Sequence, residues 1–146
     1  MRRLALGIGV VAVAGAGIGL AITAPRPVAS ERLDAIASIT GDAAAGETLF
    51  WAGGCASCHA APDAEGEAKL LLSGGVSLAS DFGTFIAPNI SPDPETGIGD
   101  WTIGDFANAM LAGVSPKGEH YYPAFPYTSY TRMTDQDIAD LFAFLK

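Results

Sequence analysis

The chain has 146 residues, with 16 acidic side chains against eight basic ones and only two cysteines. That length suits a single domain with one core. A net charge of −8 argues against nucleic acid, because phosphate neutralisation requires clustered Lys and Arg. The cysteines stand three apart, so a disulfide between them would close a tiny loop and stabilise little.

Leu4 to Ala24 holds no charged residue over 21 positions and follows Arg2 and Arg3. A helix of about 20 apolar residues spans the hydrocarbon core, and positive flanks stay on the cytoplasmic side. Residues 1–24 are therefore expected to form a transmembrane helix in the inner (cytoplasmic) membrane, with everything after them on its outer, periplasmic side. A cleaved signal peptide is the alternative, although its apolar core is usually about 7–15 residues and this run is longer. Residues 25–40 read as a linker, because Pro25 and Pro27 interrupt the helix. Ser30 to Ser38 could form a short helix with no chemistry of its own.

The domain is expected to occupy residues 41–146. Gly41 to Trp51 reads as a first helix with Asp42 at its N-cap and Gly53-Gly54 at its end. Ala60 to Gly99 is rich in Gly, Pro, Ser and Asp and shows no sustained alternation, so a long loop is expected. Such a loop makes sense when it wraps a large apolar ligand that supplies the missing core. Thr102 to Ala112 reads as a second helix, with Asp105 completing an acidic capping box and Gly113 closing it. An aromatic, turn-rich stretch follows from Gly118 to Arg132. Thr134 then opens a third helix running to Lys146, with Ile138, Leu141, Phe142 and Leu145 on its inward face. No sheet is expected, and the fold class is all-α: three main helices and long loops.

Cys55-Ala56-Ser57-Cys58-His59 carries the chemistry. Two thiols at this spacing can add to the two vinyl groups on one edge of a haem, and the next histidine then reaches the iron; the pattern is that of c-type haem attachment. A zinc site using Cys55, Cys58, His59 and His120 has suitable ligand types, but adjacent Cys58 and His59 fit a tetrahedral shell poorly. A thioredoxin-like motif needs a βαβ context, and an iron–sulfur cluster usually needs four cysteines. One covalent haem c per chain is the expected cofactor.

The chain resembles the class I c-type cytochromes, and more closely the cytochrome c modules in subunits of bacterial membrane dehydrogenases for alcohols, sugars and aldehydes. The stretches that carry this are Ala52 to His59, Pro88-Asn89-Ile90-Ser91-Pro92-Asp93, Thr96 to Trp101, and Tyr122-Pro123-Ala124-Phe125-Pro126-Tyr127. The resemblance implies a helix crossing at Gly46 and Phe50. It implies that the Pro88 carbonyl accepts a bond from His59 Nδ1, and that Trp101 meets a haem propionate; plain packing is the other reading of Trp101. His59 is the expected iron ligand on one side. Many members of the class place the opposite ligand, a Met, before a Pro, where this chain has Phe125-Pro126. Met133 is therefore the expected sixth ligand, with Met110, His120 or an open position as alternatives.

The function expected is one-electron transfer by a membrane-tethered monohaem cytochrome in a respiratory or dehydrogenase chain. No catalytic residue is expected. Redox partner proteins, subunits of a membrane dehydrogenase or respiratory complex, are the expected partners. From Gly41 onward there are fourteen acidic and four basic residues, a net of −10. That charge suits a partner with a basic docking patch, or serves only solubility. An open sixth position would instead suit a peroxidase-like haem enzyme or a haem-based sensor.

Overall fold

A computed structural model describes the backbone of residues 2–146 and the side chains of residues 13–146. The elements are α1 (Arg2–Thr23), α2 (Ser30–Ala37), α3 (Ala43–Ala52), the single turn α4 (Cys55–His59) and a 3₁₀ turn (Gly66–Leu71). They continue with strands β1 (Ser77–Ser80) and β2 (Gly83–Ile86), then α5 (Ile103–Ala112), the short α6 (Tyr127–Tyr130) and α7 (Asp135–Leu145). The anchor expected over residues 1–24 falls partly on residues 1–12, whose side chains lie outside the described residues. Among the described residues, no helix is long and apolar enough to cross a membrane.

The three main helices start where side chains can satisfy their free N–H groups. The Asp42 side chain accepts from the amides of Ala44 and Ala45. Thr102 with Asp105, and Thr134 with Asp137, form complete capping boxes, each worth about 1 kcal/mol against an uncapped end. α5 ends at Gly113, whose φ of 63° favours glycine.

α3 and α7 cross at closest approach where Gly46 meets the backbone of Asp140 and the Cβ of Phe144; a Cβ on Gly46 has no room there. Phe50, fully buried, stacks obliquely on Phe144 at 5.2 Å. Asp140 is buried in this crossing, yet its Oδ1 accepts from the Asp42 amide (2.7 Å) and from Gln136 Nε2 (2.7 Å), so its polar group is satisfied. Phe50, Phe106, Ile138, Leu141 and Leu145 form the centre of the core.

One expectation is corrected. The stretch from Ala60 to Gly99 is not strand-free: β1 and β2 pair antiparallel, with Leu78 opposite Phe85 and Ser80 opposite Gly83. The hairpin is only four residues per strand and mostly exposed, so it lacks the buried face that writes alternation into a sequence. Gly83, at φ 127°, closes its turn. Residues 25–40, read from sequence as a linker in which Ser30 to Ser38 could form a short helix, contain α2, which packs on α5 and α7 with Ile36 completely buried.

Candidate functional site: an apolar cavity behind a Cys-X-X-Cys-His turn

The helical turn α4 follows α3 through Gly53 and Gly54. Gly54 takes φ 71°, a left-handed conformation that reverses the chain and favours glycine. One turn of helix then puts Cys55, Cys58 and His59 on a common face, and all three line one cavity of about 460 Å³. Neither thiol is paired in a disulfide. Burial pushes the Cys55 thiol up to about 11, with the neighbouring Cys58 adding to the rise.

His59 is oriented by the chain 29 residues downstream. Its Nδ1–H donates to the Pro88 carbonyl at 2.8 Å, which leaves the Nε2 lone pair free. Burial holds the imidazole pKa below its ordinary value, while the Pro88 bond partly counteracts this. Neutral imidazole with a fixed ring is the form that ligates a metal.

Pro88 is itself fixed by a tightly bonded loop. The Gly74 amide donates to the His59 carbonyl (2.8 Å), and the Ile90 amide to the Leu72 carbonyl (3.0 Å). Gly74, at φ 72°, has the backbone of Ala87 and Pro88 where a Cβ would stand. Beyond Pro88, Asp93 Oδ1 accepts from Thr96 N (2.7 Å), Thr96 Oγ1 (2.9 Å) and Glu95 N (3.1 Å). Those bonds hold the Asp93 carboxyl below the usual range, backbone Thr96 first. Asn89 Nδ2 closes the loop on Thr96 Oγ1 at 2.9 Å. The loop thereby sets Ile90 and Ile98 into the cavity wall.

Opposite this wall stand α5, α7 and the aromatic segment. Phe106, Met110, Leu141 and Phe125 line the cavity, as does Trp101. Met110 is buried at 6% exposure. Met133 does not line this cavity. It lines an adjoining one that shares Cys55, Met110, Tyr130 and Leu141 with the first, and it packs on the core half-buried. His120 is at neither cavity: its Nε2–H donates to the Thr23 carbonyl at 3.0 Å. Among the described residues no group of three or more His, Cys, Asp or Glu could hold a metal ion by itself, which disfavours the zinc arrangement.

Three features of the site were not read from sequence. Tyr130 OH donates to the Gly53 carbonyl at 2.9 Å, tying the last loop to the turn before Cys55. Phe85 stacks on Tyr122 at 4.1 Å, closing the hairpin over the cavity. Gly74 gives Pro88 its room. The sequence showed residues 118–132 only as an aromatic, turn-rich stretch; pairing partners distant in sequence assign the individual roles.

The fold and the site together define a small helical protein that presents two thiols and a fixed imidazole to a large apolar cavity. The chain belongs to the cytochrome c family, whose model matches residues 43–146. It is 62% identical over 120 residues to a diheme cytochrome c-type protein of Cereibacter sphaeroides, covering 82% of this chain and 40% of that one. It is 40% identical over 99 residues to the gluconate 2-dehydrogenase cytochrome c subunit of Pantoea cypripedii, covering 68% of this chain and 21% of the subunit. It is 38% identical over 99 residues to the alcohol dehydrogenase (quinone) cytochrome c subunit of Gluconobacter oxydans, covering 68% of this chain and 20% of that subunit. The chain thus spans less than half the length of these curated relatives.

Membership implies a covalently held haem, and the residues present fit one. The donor set is two unpaired thiols at i and i+3 with an imidazole at i+4. The cavity they face is lined mainly by apolar side chains.

Proposed function

We propose that the chain is a one-electron carrier of the dehydrogenase-associated type, with Cys55 and Cys58 holding the haem as thioethers and His59 as one axial ligand. When bound, the haem supplies a single Fe(II)/Fe(III) couple. The observation that carries this reading is the His59 Nδ1–Pro88 bond facing an apolar cavity beside both thiols. Pro88 fixes the ring and its tautomer, which raises the ligand's basicity. Trp101 lies on the cavity wall, where its indole N–H suits a propionate. The apolar lining excludes water and so tunes the potential. No side chain in the cavity is assigned a catalytic role.

Met133 is our proposal for the opposite axial ligand. It sits on the short loop before α7, at the cavity that adjoins the first. One observation favours a second reading: Met110 already lines both cavities from the middle of α5. The oxidised holoprotein's weak far-red band, which reports sulfur bound to Fe(III), separates them. The band is expected in the wild type and is expected to be lost in Met133→Ala but not in Met110→Leu. Loss only in Met110→Leu moves the ligand to α5. A high-spin wild type that binds small ligands readily overturns the carrier reading in favour of an enzyme or sensor.

We further propose that α1 anchors the protein in the inner membrane with the haem domain on the outer side. The support is the uncharged run from Leu4 to Ala24 behind Arg2 and Arg3, together with exposed Val13, Ile18, Leu20 and Ile22. Redox partners would be subunits of a respiratory complex or of a dehydrogenase, the latter supported by two relatives that are named as cytochrome c subunits of dehydrogenases.

A further inference from the structure

The segment between α1 and α3 is tied into the domain at several separate points. The Thr23 carbonyl, at the end of α1, accepts from His120 Nε2 at 3.0 Å. Five residues on, the Val28 amide donates to Asn108 Oδ1 at 2.8 Å. Arg32 Nε meets Asp135 Oδ1 at 2.8 Å. Ile36 is 0% exposed and belongs to the same core as Phe50 and Ile138. Val28 and Leu33 pack against that core as well. Gln136 Nε2 reaches the Thr40 carbonyl at 3.4 Å. Contacts from α5, α7 and the 114–120 turn thus hold the segment near both of its ends and at α2.

This order is not explained by the cytochrome domain alone. The family match begins at residue 43, after the whole segment. The similarity to the diheme protein covers 120 residues of this chain, so it must extend in front of residue 43. A flexible spacer would need only polar, Gly- or Ser-rich sequence. This one instead carries an apolar residue in the core and a backbone amide bonded to a side chain 80 positions away.

We propose that residues 23–37 form a rigid mount that holds the haem cavity in one fixed orientation at the end of α1. The direction is set by His120. It bonds Thr23, and the next two residues, Tyr121 and Tyr122, are part of the cavity wall. The tyrosine wall of the cavity therefore sits beside the end of α1. With α1 in the membrane (a point that rests on the anchor proposed above), that wall lies close to the membrane surface.

The test uses the full chain, matured with haem and kept in membranes or detergent. Hydrogen exchange should find the α2 amides and the Val28 amide protected like those of α5. Asn108→Ala should speed Val28 exchange roughly ten-fold, since one hydrogen bond is lost. Ile36→Ala should release α2 as a unit while the optical spectrum of the haem stays unchanged. Rapid exchange of α2 in the wild type, or no change in either variant, overturns the mount. In oriented membranes, the haem electron-paramagnetic signal should depend on the angle of the field, and this dependence should flatten in Ile36→Ala. An isotropic signal from membrane-retained wild type also overturns the mount. Release of the wild type into the soluble fraction overturns the anchor and the membrane-facing direction, and leaves the exchange data to decide the mount by themselves.

Discussion

Tyr130 is the residue at which two ends of the site meet, because its hydroxyl bonds the Gly53 carbonyl just before the cysteine turn. Tyr130→Phe keeps the ring and removes that bond. We expect a loss of about 1 kcal/mol, read as a lowered midpoint in chemical denaturation, with the carrier's optical spectrum retained. Asp93 gives a pH-dependent case. Its folded pKa is depressed by bonds from Thr96, Glu95 and Gly97, so its contribution is present above the ordinary carboxylate range and fades as pH falls through the lowered value. The stability difference between wild type and Asp93→Asn should therefore shrink as the pH is lowered from neutrality into that acid range. A difference that stays constant with pH would show that Asp93 acts without its charge.

At the scale of elements, the α3–α7 crossing depends on the missing side chain of Gly46. Gly46→Val must push against the Asp140 carbonyl and the Phe144 Cβ. We expect a cost of at least about 1–3 kcal/mol from such overpacking, seen in thermal melts or as failure to accumulate holoprotein. The hairpin is a weaker element. It joins the rest through the Gly75–Ala87 and Ala87–Val76 bonds at its neck and the Phe85–Tyr122 stack. Phe85→Ala should cost about 0.5–1.5 kcal/mol beyond lost area for the stack, and should speed exchange of the β1 and β2 amides in hydrogen-exchange measurements. Equal exchange in both proteins would mean that the neck bonds alone hold the hairpin.

For the whole molecule, the excess of ten negative charges after residue 40 predicts how it meets a partner. Association with a positively charged redox partner should slow as ionic strength rises, because steering is screened beyond about 8–10 Å at physiological salt. Stopped-flow electron transfer at rising salt measures this. A rate indifferent to salt would leave the acidity with only a role in solubility. The mount proposed for residues 23–37 acts at this same scale: with the anchor also proposed above, it limits which face of the acidic domain a membrane-bound partner can reach.

Much was legible in local pattern. Asp42, Thr102 and Thr134 are caps whose bonds close within three residues, so sequence alone placed the starts of α3, α5 and α7. Cys55, Cys58 and His59 are equally local: one helical turn puts them on a common face. The Gly46–Phe50 crossing and the Pro88 bond came from resemblance and agree with the geometry. What sequence could not decide were contacts between distant residues. The hairpin has no buried face, so its strands left no alternating signature. The burial of Ile36 requires α5 and α7 to be in place. His120 carries the residue type of a ligand, yet it lines neither cavity and its ring bonds the Thr23 carbonyl, a partner 97 positions away. Met110 and Met133 have the same chemistry, and their distance from the site is set by packing rather than by spacing. Local hydrogen bonds and motif spacing are fixed by the chain's own geometry; which surfaces meet is fixed only when apolar faces compete for the same core.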